Sequence, residues 1–552
     1  MRKLRYEVVP GFYSAAILYE PTTLHGKVPA ILNVNGHEYS MGKAVEYEQK
    51  ICINFAKRGI IALSLEWLEC GELFDPRNKQ DDRHWVAGYL DLVGTSAIGL
   101  FYLEMRRGLD YLYENPKVDR DRIGMTGLSG GGWQTITLSS LDTRVRVAVP
   151  VAGFASLVSQ IERKSDSGDI EQSPADFYVD VDNAHLTAMM APRPTLLIFD
   201  AQDDCCYRAP LVKPYVFDQV RPFFSLYGHA DDFQWYENTD PGTHNYQLDN
   251  RLRAYRFFSE HFHLPLITSE IPSDAAIKTY DELVVGLPKD NLTALELAKQ
   301  FARGIKREPV PSSGVEMREW AAVERQKLKN VVRYRDADVK HPWALANTKE
   351  KGVETRSYCF EMNNGLSATG VWVKAIASPE TAPVTLVLND DGKCNAAAVV
   401  SDRVNRGEQV LAMDLLFTGD SAPEREKPAH LRQYMVQAVA MIGDRALGLQ
   451  AAQLIAAARW LRQTTGIGAL RLDCTGIRSE TFGLIAAALE PSLFSRVEIH
   501  RGMRSFGYLL ASPVLEIGAP DLFCLDLYKE LDLDRIIVLA EPTLVTQRDS
   551  LE

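Results

Sequence analysis

The sequence lacks the features that would assign it to several specialised classes of protein. Among its 552 residues, no apolar run approaches the roughly 18 residues that span a bilayer, so we expect no membrane segment. Basic residues are not in excess, because 61 Lys and Arg stand against 73 Asp and Glu and give a formal net charge of −12. Since nucleic acids and anionic membranes are polyanions, we expect neither as a partner.

Two further absences concern cysteine and the N-terminus. The eight cysteines lack the paired spacing of a zinc site or a disulfide scaffold, and the adjacent Cys205 and Cys206 are poorly placed to bond each other. We therefore expect reduced thiols, no metal and no cofactor. The first residues are basic but are followed by neither the apolar region nor the cleavage site of a signal peptide. This predicts a cytoplasmic protein, with an exported form whose signal has been removed as the alternative.

What the sequence does contain is typical of a soluble globular protein. Apolar residues make up 46% and charged residues 24% of the chain, which is the usual balance. Because 552 residues exceed what one hydrophobic core usually supports, we expect two domains or more.

Residues 1–265 alternate short apolar runs with amphipathic stretches at helical spacing. The apolar runs that we predict as strands are VPAILNVNG (28–36), GIIALSLEW (59–67), RIGMTG (122–127), VRVAVPVAG (145–153), PTLLIFD (194–200) and FQWYEN (233–238). Strands that alternate with helices predict an α/β domain with a doubly wound, mostly parallel sheet. In such a sheet, functional residues collect at the C-terminal ends of the strands.

The pattern of the first half returns after a segment, 266–350, that we predict to be a helical connector. RGIIALSLEWLECGE (58–72) aligns without gaps to RGEQVLAMDLLFTGD (406–420), at an offset of 348. Two more segments align at an offset of 349, namely 94–112 with 443–461 and 122–132 with 471–481. A nearly constant offset over three segments predicts a tandem duplication, with residues 351–552 as a second α/β domain.

The sharpest motif is Gly-Leu-Ser-Gly-Gly, which carries Ser129. It follows an apolar strand and precedes a stretch compatible with a helix, as the strand–turn–helix of a nucleophile elbow requires. Small neighbouring residues suit a serine in a tight turn, because larger side chains would clash with nearby backbone. The alternative is a glycine-rich turn without chemistry.

A serine nucleophile needs an acid and a base, and in this fold class they follow it in the order acid, then His. The strand PTLLIFD leads into a loop in which Asp203 is the favoured acid, because it lies three residues beyond Asp200 and deep enough to turn back. Asp200 and Asp204 remain its rivals.

The predicted base is His244, which lies in the loop TDPGTHNY after the next strand. Its neighbours Gly and Asn suit an exposed loop. His229 is the main rival, whereas His261 and His263 lie in a helical stretch and suit surface or packing roles. The predicted order is therefore serine, aspartate, histidine, each residue just beyond a strand.

Acyl transfer also needs hydrogen-bond donors for the oxyanion. We expect one from the backbone N–H of Gly130 and the second from the Gly36-His37 turn at the end of an early strand. The alternative role for His37 is to cap its loop.

Residues 1–265 resemble the acetylxylan-esterase-like α/β hydrolases, which are related to dienelactone hydrolases and prolyl oligopeptidases. The resemblance rests on EVVPGFYSAAILYEP, VPAILNVNGHEYSMGK, VDRDRIGMTGLSGGGWQT, MAPRPTLLIFDAQDD and PGTHNY. It implies the same nucleophile, acid, base and oxyanion turn, and α/β-hydrolase-type folds for both halves of the chain. One departure is Leu128, where such esterases often carry Asn.

The second half lacks all three catalytic functions. In the alignment Ser129 falls on Arg478, and the oxyanion turn falls on NDD (389–391), which places carboxylates where an anion should be stabilised. RIIVLAEP (535–542), which we predict as the final strand, precedes only ten residues, and His500 is the last histidine. We expect this degenerate domain to cover the active half, form a substrate wall, mediate self-association into a homo-oligomer, or persist as a stabilising remnant.

These features predict a serine carboxylesterase that acts on short acyl esters, with acetylated carbohydrate as the expected substrate. The polar segment 156–185 and two tryptophans, Trp67 and Trp133, suit a hydroxylated ligand, although either ring would also suit a core. One alternative is a prolyl-oligopeptidase-type peptidase, disfavoured because no seven-blade repeat precedes residues 1–265. The other is a non-catalytic carbohydrate-binding protein, which the retained Ser, Asp and His disfavour.

Overall fold

The computed structural model describes residues 1–74, 88–162, 171–172, 174–312, 314–423 and 428–551. These residues divide into two compact units, one drawn from 1–84 and 97–293 and the other from 85–96 and 294–552. The segment expected as a connector, 266–350, is therefore shared between the two units. None of the helices in the described ranges combines the length and the apolarity needed to cross a bilayer.

The described part of the first unit forms an eight-stranded sheet in the order β1-β2-β4-β3-β5-β6-β7-β8. The strands are β1 (Arg2–Val9), β2 (Phe12–Tyr19), β3 (Val28–Val34), β4 (Ile61–Leu65), β5 (Val118–Leu128), β6 (Val147–Val151), β7 (Thr195–Asp200) and β8 (Phe233–Asn238). β1 and β2 form the antiparallel hairpin at one edge, and β3 to β8 run parallel. All six predicted strands of residues 28–238 are confirmed.

Helices cover both faces of this sheet. The helices of the first unit are α1 (Glu46–Lys57), α3 (Ala97–Glu114), α4 (Gly130–Leu141), α5 (Leu157–Glu162), α6 (Phe177–Asp180), α7 (Asn183–Ala188), α8 (Ala209–Val212), α9 (Phe217–Leu226), α10 (Leu248–His261) and α11 (Tyr280–Leu283), whereas α2 (Gly88–Leu92) belongs to the second unit. Met105 of α3 and Leu138 of α4 share a buried cluster with Leu32 of β3. Phe55 of α1 and Phe258 of α10 meet edge to face at 5.6 Å on the opposite side.

The described part of the second unit forms another eight-stranded sheet, in the order β16-β15-β14-β12-β13-β11-β10-β9. Its strands are β9 (Val339–Glu350), β10 (Val353–Met362), β11 (Ser367–Ala375), β12 (Val384–Asn389), β13 (Gln409–Asp414), β14 (Leu470–Thr475), β15 (Phe494–His500) and β16 (Leu544–Arg548). Its remaining helices are α12 (Ala294–Gly304), α13 (Gly314–Val331), α14 (Ala397–Asn405), α15 (Pro428–Met441), α16 (Ala446–Thr465), α17 (Ile477–Leu489), α18 (Tyr508–Ala511), α19 (Leu527–Glu530) and α20 (Leu533–Leu539).

Two local predictions are wrong. The end of the expected helical connector, Val339–Glu350, is the edge strand β9, because it pairs with β10 over its whole length. RIIVLAEP is not a strand, since Leu533–Leu539 is helix α20, capped by the side chain of Asp532. Strand β16 follows it at Leu544–Arg548. A short apolar run fits a buried helix as well as a strand, and here the capping aspartate favours the helix.

The two sheets share one topology. Strands β10, β11, β13, β12, β14, β15 and β16 follow the same order as β1, β2, β4, β3, β5, β6 and β7. β9 is an additional edge strand, and β8 has no counterpart among the described residues that follow β16. The second copy therefore lacks the strand that leads into the loop of His244. The origin of this repeat by tandem duplication stays a prediction.

A lysine that binds a buried carboxylate is also found at the same place in both units. In the first unit, the buried ammonium of Lys43 donates to Glu66 at 2.9 Å and to Glu72 at 2.6 Å. Lys393 lies 350 residues later and donates to Asp414 at 2.6 Å. Each lysine directly follows a glycine with positive φ. Lys43 lies in the segment after strand β3, and Lys393 lies in the segment after strand β12. Because this network persists where the catalytic residues do not, we assign it to the fold.

In the second unit, the position that matches Ser129 is occupied by a buried arginine that is paired with an aspartate. Arg478 is 3% exposed, and its Nε and Nη2 donate to the two carboxylate oxygens of Asp521 at 2.8 Å each. The carboxylate of Asp390 accepts the backbone N–H groups of Arg478 at 3.0 Å and of Ser479 at 2.6 Å. Amides that would stabilise an oxyanion are thus bound to a carboxylate of the same chain, which agrees with the expected loss of acyl transfer.

We expect Asp521→Ala to destabilise the protein by about 3–5 kcal/mol, because it leaves the buried guanidinium of Arg478 without its carboxylate. Urea unfolding followed by circular dichroism measures this loss. The matched control is Asp402→Ala, which breaks a 2.7 Å pair with Arg406 whose two side chains are more than half exposed. The control should cost about 1 kcal/mol or less. Equal effects of the two substitutions would contradict a special role for the buried pair.

Candidate active site

Ser129 occupies the turn between β5 and α4, with φ 58° and ψ −122°. This positive φ is strained for a non-glycine residue and is typical of a nucleophile elbow. The neighbouring glycines are required by close backbone contacts. A Cβ on Gly127 would lie 2.3 Å from the carbonyl oxygen of Val34, and one on Gly131 would lie 2.0 Å from the same atom. The predicted strand–turn–helix context of Ser129 is therefore present.

The structure brings Asp203 and His244 together. Asp203 is 1% exposed, and its Oδ2 accepts a hydrogen bond from Nδ1 of His244 at 2.8 Å. Its Oδ1 accepts the backbone N–H groups of Cys205 and Cys206, each at 2.8 Å. Burial opposes the charged carboxylate, but the hydrogen bond and charge of His244 and these two amides hold the pKa of Asp203 below its usual range.

The other two candidate acids hold the loop of His244 by its backbone. Oδ1 of Asp204 accepts the N–H of His244 at 2.9 Å. Asp200 is fully buried and accepts hydrogen bonds from Asn245 and from Nδ2 of Asn250. Burial outweighs these donors and raises the pKa of Asp200 to about 6. Of the three carboxylates, Asp203 is therefore the one that contacts the imidazole.

The imidazole of His244 lies in a setting that favours its charged form. Burial lowers the pKa of His244, but the hydrogen bond and negative charge of Asp203 outweigh burial and raise this pKa above its usual range. The rival His229 instead pairs with Asp232 at 2.6 Å, and its side chain is half exposed. His261 lies 4.0 Å from the same aspartate.

The expected oxyanion turn lies against the nucleophile. A Cβ on Gly36 would lie 3.0 Å from the Cβ of Ser129. The N–H of Gly36 donates to the hydroxyl of Tyr47 at 3.1 Å, so within this turn we favour the backbone of His37 as the donor to an oxyanion. Tyr47 was not singled out from the sequence, because its pairing depends on a helix folding back onto the turn.

The two tryptophans lie in the interior. Trp133, which we expected to contact substrate, is 2% exposed on α4, whose buried residues occupy almost its entire length. Its position favours a core role over substrate binding. Trp67 is also fully buried, and its ring packs against His37 at 5.2 Å and Phe101 at 5.4 Å.

A cavity of about 600 Å³ lies beside His244, within the size range of small-molecule sites. Leu128, the residue before Ser129, forms part of its wall together with Glu38, Tyr47 and Arg251. The polar lining suits a hydroxylated ligand better than a long hydrocarbon chain. Residues 163–170 and 173 of the predicted substrate segment 156–185 lie outside the described ranges.

Among the residues that the structure describes, two groups each bring three potential metal ligands within 4.8 Å of one another. They are Asp200, Asp203 and His244, and Asp473, Glu498 and His500. In the first group the shortest contact is the hydrogen bond between Asp203 and His244. In the second, the guanidinium of Arg403 donates to Asp473 at 2.7 Å and to Glu498 at 2.6 Å. Both arrangements have the chemistry of hydrogen-bonded networks, and we propose no metal at either.

Besides Tyr47, a second residue of the site escaped prediction from the sequence. Glu171 is fully buried, and its Oε1 lies 3.1 Å from Nε2 of His37. It belongs to the polar segment that we associated with the substrate, but its acidic neighbours gave no signal that would distinguish it. Only the approach of this segment to the oxyanion turn reveals the pair.

The sheet order of the first unit, with a strained serine between β5 and α4, is that of an α/β hydrolase. Residues 3–184 match the model of the acetyl xylan esterase (AXE1) family, which confirms the resemblance read from the motifs and supports carbohydrate esterase activity. The matched segment contains Gly36, His37 and Ser129, and it ends before Asp203 and His244.

Three similar solved structures are esterases. Methylesterase BT1017 is 24% identical with a TM-score of 0.45, over 55% of this chain and 65% of that one. An acetyl xylan esterase from Paenibacillus sp. R4 is 20% identical with a TM-score of 0.35, over 47% and 83%. A glucuronoyl esterase from Solibacter usitatus is 15% identical with a TM-score of 0.34, over 47% and 80%.

The chain thus spans 65% of the length of the methylesterase. Among curated proteins, none matches the sequence.

We expect Asp203→Asn to lower the pKa of His244, because it removes the negative charge that favours the imidazolium. NMR titration of histidine-labelled protein measures this pKa, and His244→Gln assigns the signal. The control is Asp240→Asn, an exposed position in the same loop, which should leave the titration unchanged. A midpoint that does not move in Asp203→Asn would mean that Asp203 does not set the charge of His244.

Proposed function

We propose that this protein is a serine carboxylesterase that hydrolyses short acyl esters of carbohydrates through Ser129, His244 and Asp203. The observation that carries the proposal is the strained Ser129 turn in the same unit as a buried Asp203–His244 pair. The match of residues 3–184 to the acetyl xylan esterase family supports the ester as the bond that is cleaved.

In this mechanism His244 takes the proton of the Ser129 hydroxyl as that oxygen attacks the ester carbonyl. Asp203 holds the imidazole by Nδ1 and stabilises its positive charge. The N–H groups of Gly130 and of the Gly36-His37 turn receive the oxyanion, aided by the positive end of α4. The alcohol leaves with the proton from His244, and a water molecule, activated by the same imidazole, releases the acid.

The polar cavity supports a carbohydrate as the alcohol part of the substrate. Glu38, Tyr47 and Gln247 place polar groups around a space of about 600 Å³. A sugar presents many hydroxyl groups and matches such a lining, whereas an acetyl group needs little apolar surface. Acetylated carbohydrate is therefore the substrate that we propose.

We expect Ser129→Ala to abolish hydrolysis of p-nitrophenyl acetate, because it removes the nucleophile; triad variants of serine hydrolases lose about 10⁴- to 10⁶-fold in kcat. A fluorophosphonate should label the parent protein at Ser129 and leave the variant unlabelled, as mass spectrometry of the peptide would show. The control is Ser225→Ala, an exposed serine on α9, which should behave as the parent. Full activity in Ser129→Ala would overturn the assignment.

A substrate panel tests the rest of the proposal. Esters from acetyl to octanoyl, acetylated xylan and a methyl glucuronate ester define the acyl group and the alcohol, and we expect acetyl esters to be preferred. Preferential cleavage of aminoacyl amides would favour the peptidase instead. Carbohydrate binding without labelling or turnover would favour a non-catalytic protein.

The pH dependence follows from the raised pKa of His244. The imidazole must be neutral to accept the serine proton, so kcat/KM should fall as the pH decreases through a midpoint above the usual pKa of a histidine. In Asp203→Asn the remaining activity should be far lower and its acid limb should move to lower pH. An acid limb unaffected by this substitution would contradict His244 as the base held by Asp203.

A further inference from the structure

A second histidine–carboxylate pair lies next to the nucleophile and is not used by the mechanism above. Nε2 of His37 and Oε1 of Glu171 are 3.1 Å apart, with side chains 17% and 0% exposed respectively. Nε2 of Gln172 donates to the same carboxylate at 3.4 Å. A carboxylate at this distance favours the charged form of the imidazole.

The imidazole of His37 lies at the start of helix α4. A Cβ added to Gly130 would lie 2.9 Å from Cε1 of His37, so the ring packs directly on the residue that follows Ser129. Trp67 covers the ring at a centroid distance of 5.2 Å. A proton on His37 therefore places its charge beside the N–H group that we expect to receive the oxyanion.

Glu171 is also held from the side of the acid loop. The hydroxyl of Tyr207 donates to Oε1 of Gln172 at 2.5 Å, and Tyr207 is 3% exposed. Tyr207 directly follows Cys206, whose amide bonds Asp203. Glu171 therefore contacts the oxyanion turn through His37, and its neighbour Gln172 contacts the loop of Asp203 through Tyr207. These two contacts hold the carboxylate of Glu171 against His37.

Other titratable groups face this pair. Glu38 and Cys205 lie within electrostatic range of both His37 and His244. Tyr39 lies 5.7 Å from the imidazole of His37. The carboxylate that lies within hydrogen-bond distance of the His37 ring is that of Glu171.

We propose that Glu171 is a positioning residue that keeps His37 as an imidazolium beside Ser129, where its charge stabilises the oxyanion of the esterase reaction. The inference rests on the proposed function, because it concerns the transition state of that reaction. Glu171 touches no reacting atom and acts through His37. The charge adds to that of the α4 N-terminus.

The test compares Glu171→Gln, Glu171→Asp and the parent on p-nitrophenyl acetate. Gln keeps the shape and loses the charge, so we expect kcat to fall about tenfold to a hundredfold, less than the loss of an oxyanion donor, with KM unchanged. Asp keeps the charge and should retain more activity than Gln. The reverse order would indicate a packing role and would overturn the proposal.

Two further variants separate this effect from others. His37→Gln should lower kcat at least as much, and Glu171→Gln added to it should cost nothing more, because both substitutions remove the same charge. Losses that multiply would mean that Glu171 acts independently. The control is Asp232→Asn, which breaks the exposed pair with His229 and should leave kcat unchanged.

The activity of the parent protein and its labelling at Ser129 distinguish a failure of the proposed function from a failure of this inference. If the parent is neither active nor labelled at Ser129, the proposed function fails; if it is active and Glu171→Gln matches it, only this inference fails. Should Glu171→Gln not fold, ¹⁵N NMR of the parent decides the question. Two protonated nitrogens on His37 at pH 7.5, assigned with His37→Gln, support the proposal, and one protonated nitrogen overturns it.

Discussion

The candidate site depends on three neighbouring carboxylates, two of them buried, that accept hydrogen bonds from the loop of His244. Asp200, Asp203 and Asp204 leave the end of β7 together, and each bonds a different group at or beside His244. One fixes the imidazole, one fixes its backbone and one fixes the next residue. An imidazole on a free loop would sample many orientations, so this anchoring sets the base in a single position relative to its sheet.

Comparison of the two units distinguishes polar groups that stabilise the fold from polar groups that belong to the candidate active site. The lysine–carboxylate network of Lys43 recurs at Lys393, and the helix-capping Asp182 recurs at Asp532. The surroundings of Ser129 do not recur, since Arg478 takes its place. A buried network that is present in both units, whereas the surroundings of Ser129 are not, serves the fold, because its charges would be too costly to leave unpaired in either unit.

Buried carboxylates near the site illustrate how the surroundings decide what a residue does. Asp203 is held charged by a histidine and two amides, whereas neutral amide donors leave Asp200 with a raised pKa. The fully buried carboxylate of Glu171 lies 3.1 Å from the imidazole of His37. The three have the same functional group, and their difference comes from the donors that the fold presents to them.

The sequence by itself determined the alternation of strands and helices, the elbow at Ser129 and the repeat, because these depend on local spacing along the chain. It left three aspartates as rivals and gave no sign of Glu171, and it predicted a strand over 535–542, where the chain forms the helix Leu533–Leu539. Only the tertiary structure decided these points. Which carboxylate reaches which histidine depends on how loops from distant strands meet in space, and a short apolar run takes its conformation from the surface against which it packs.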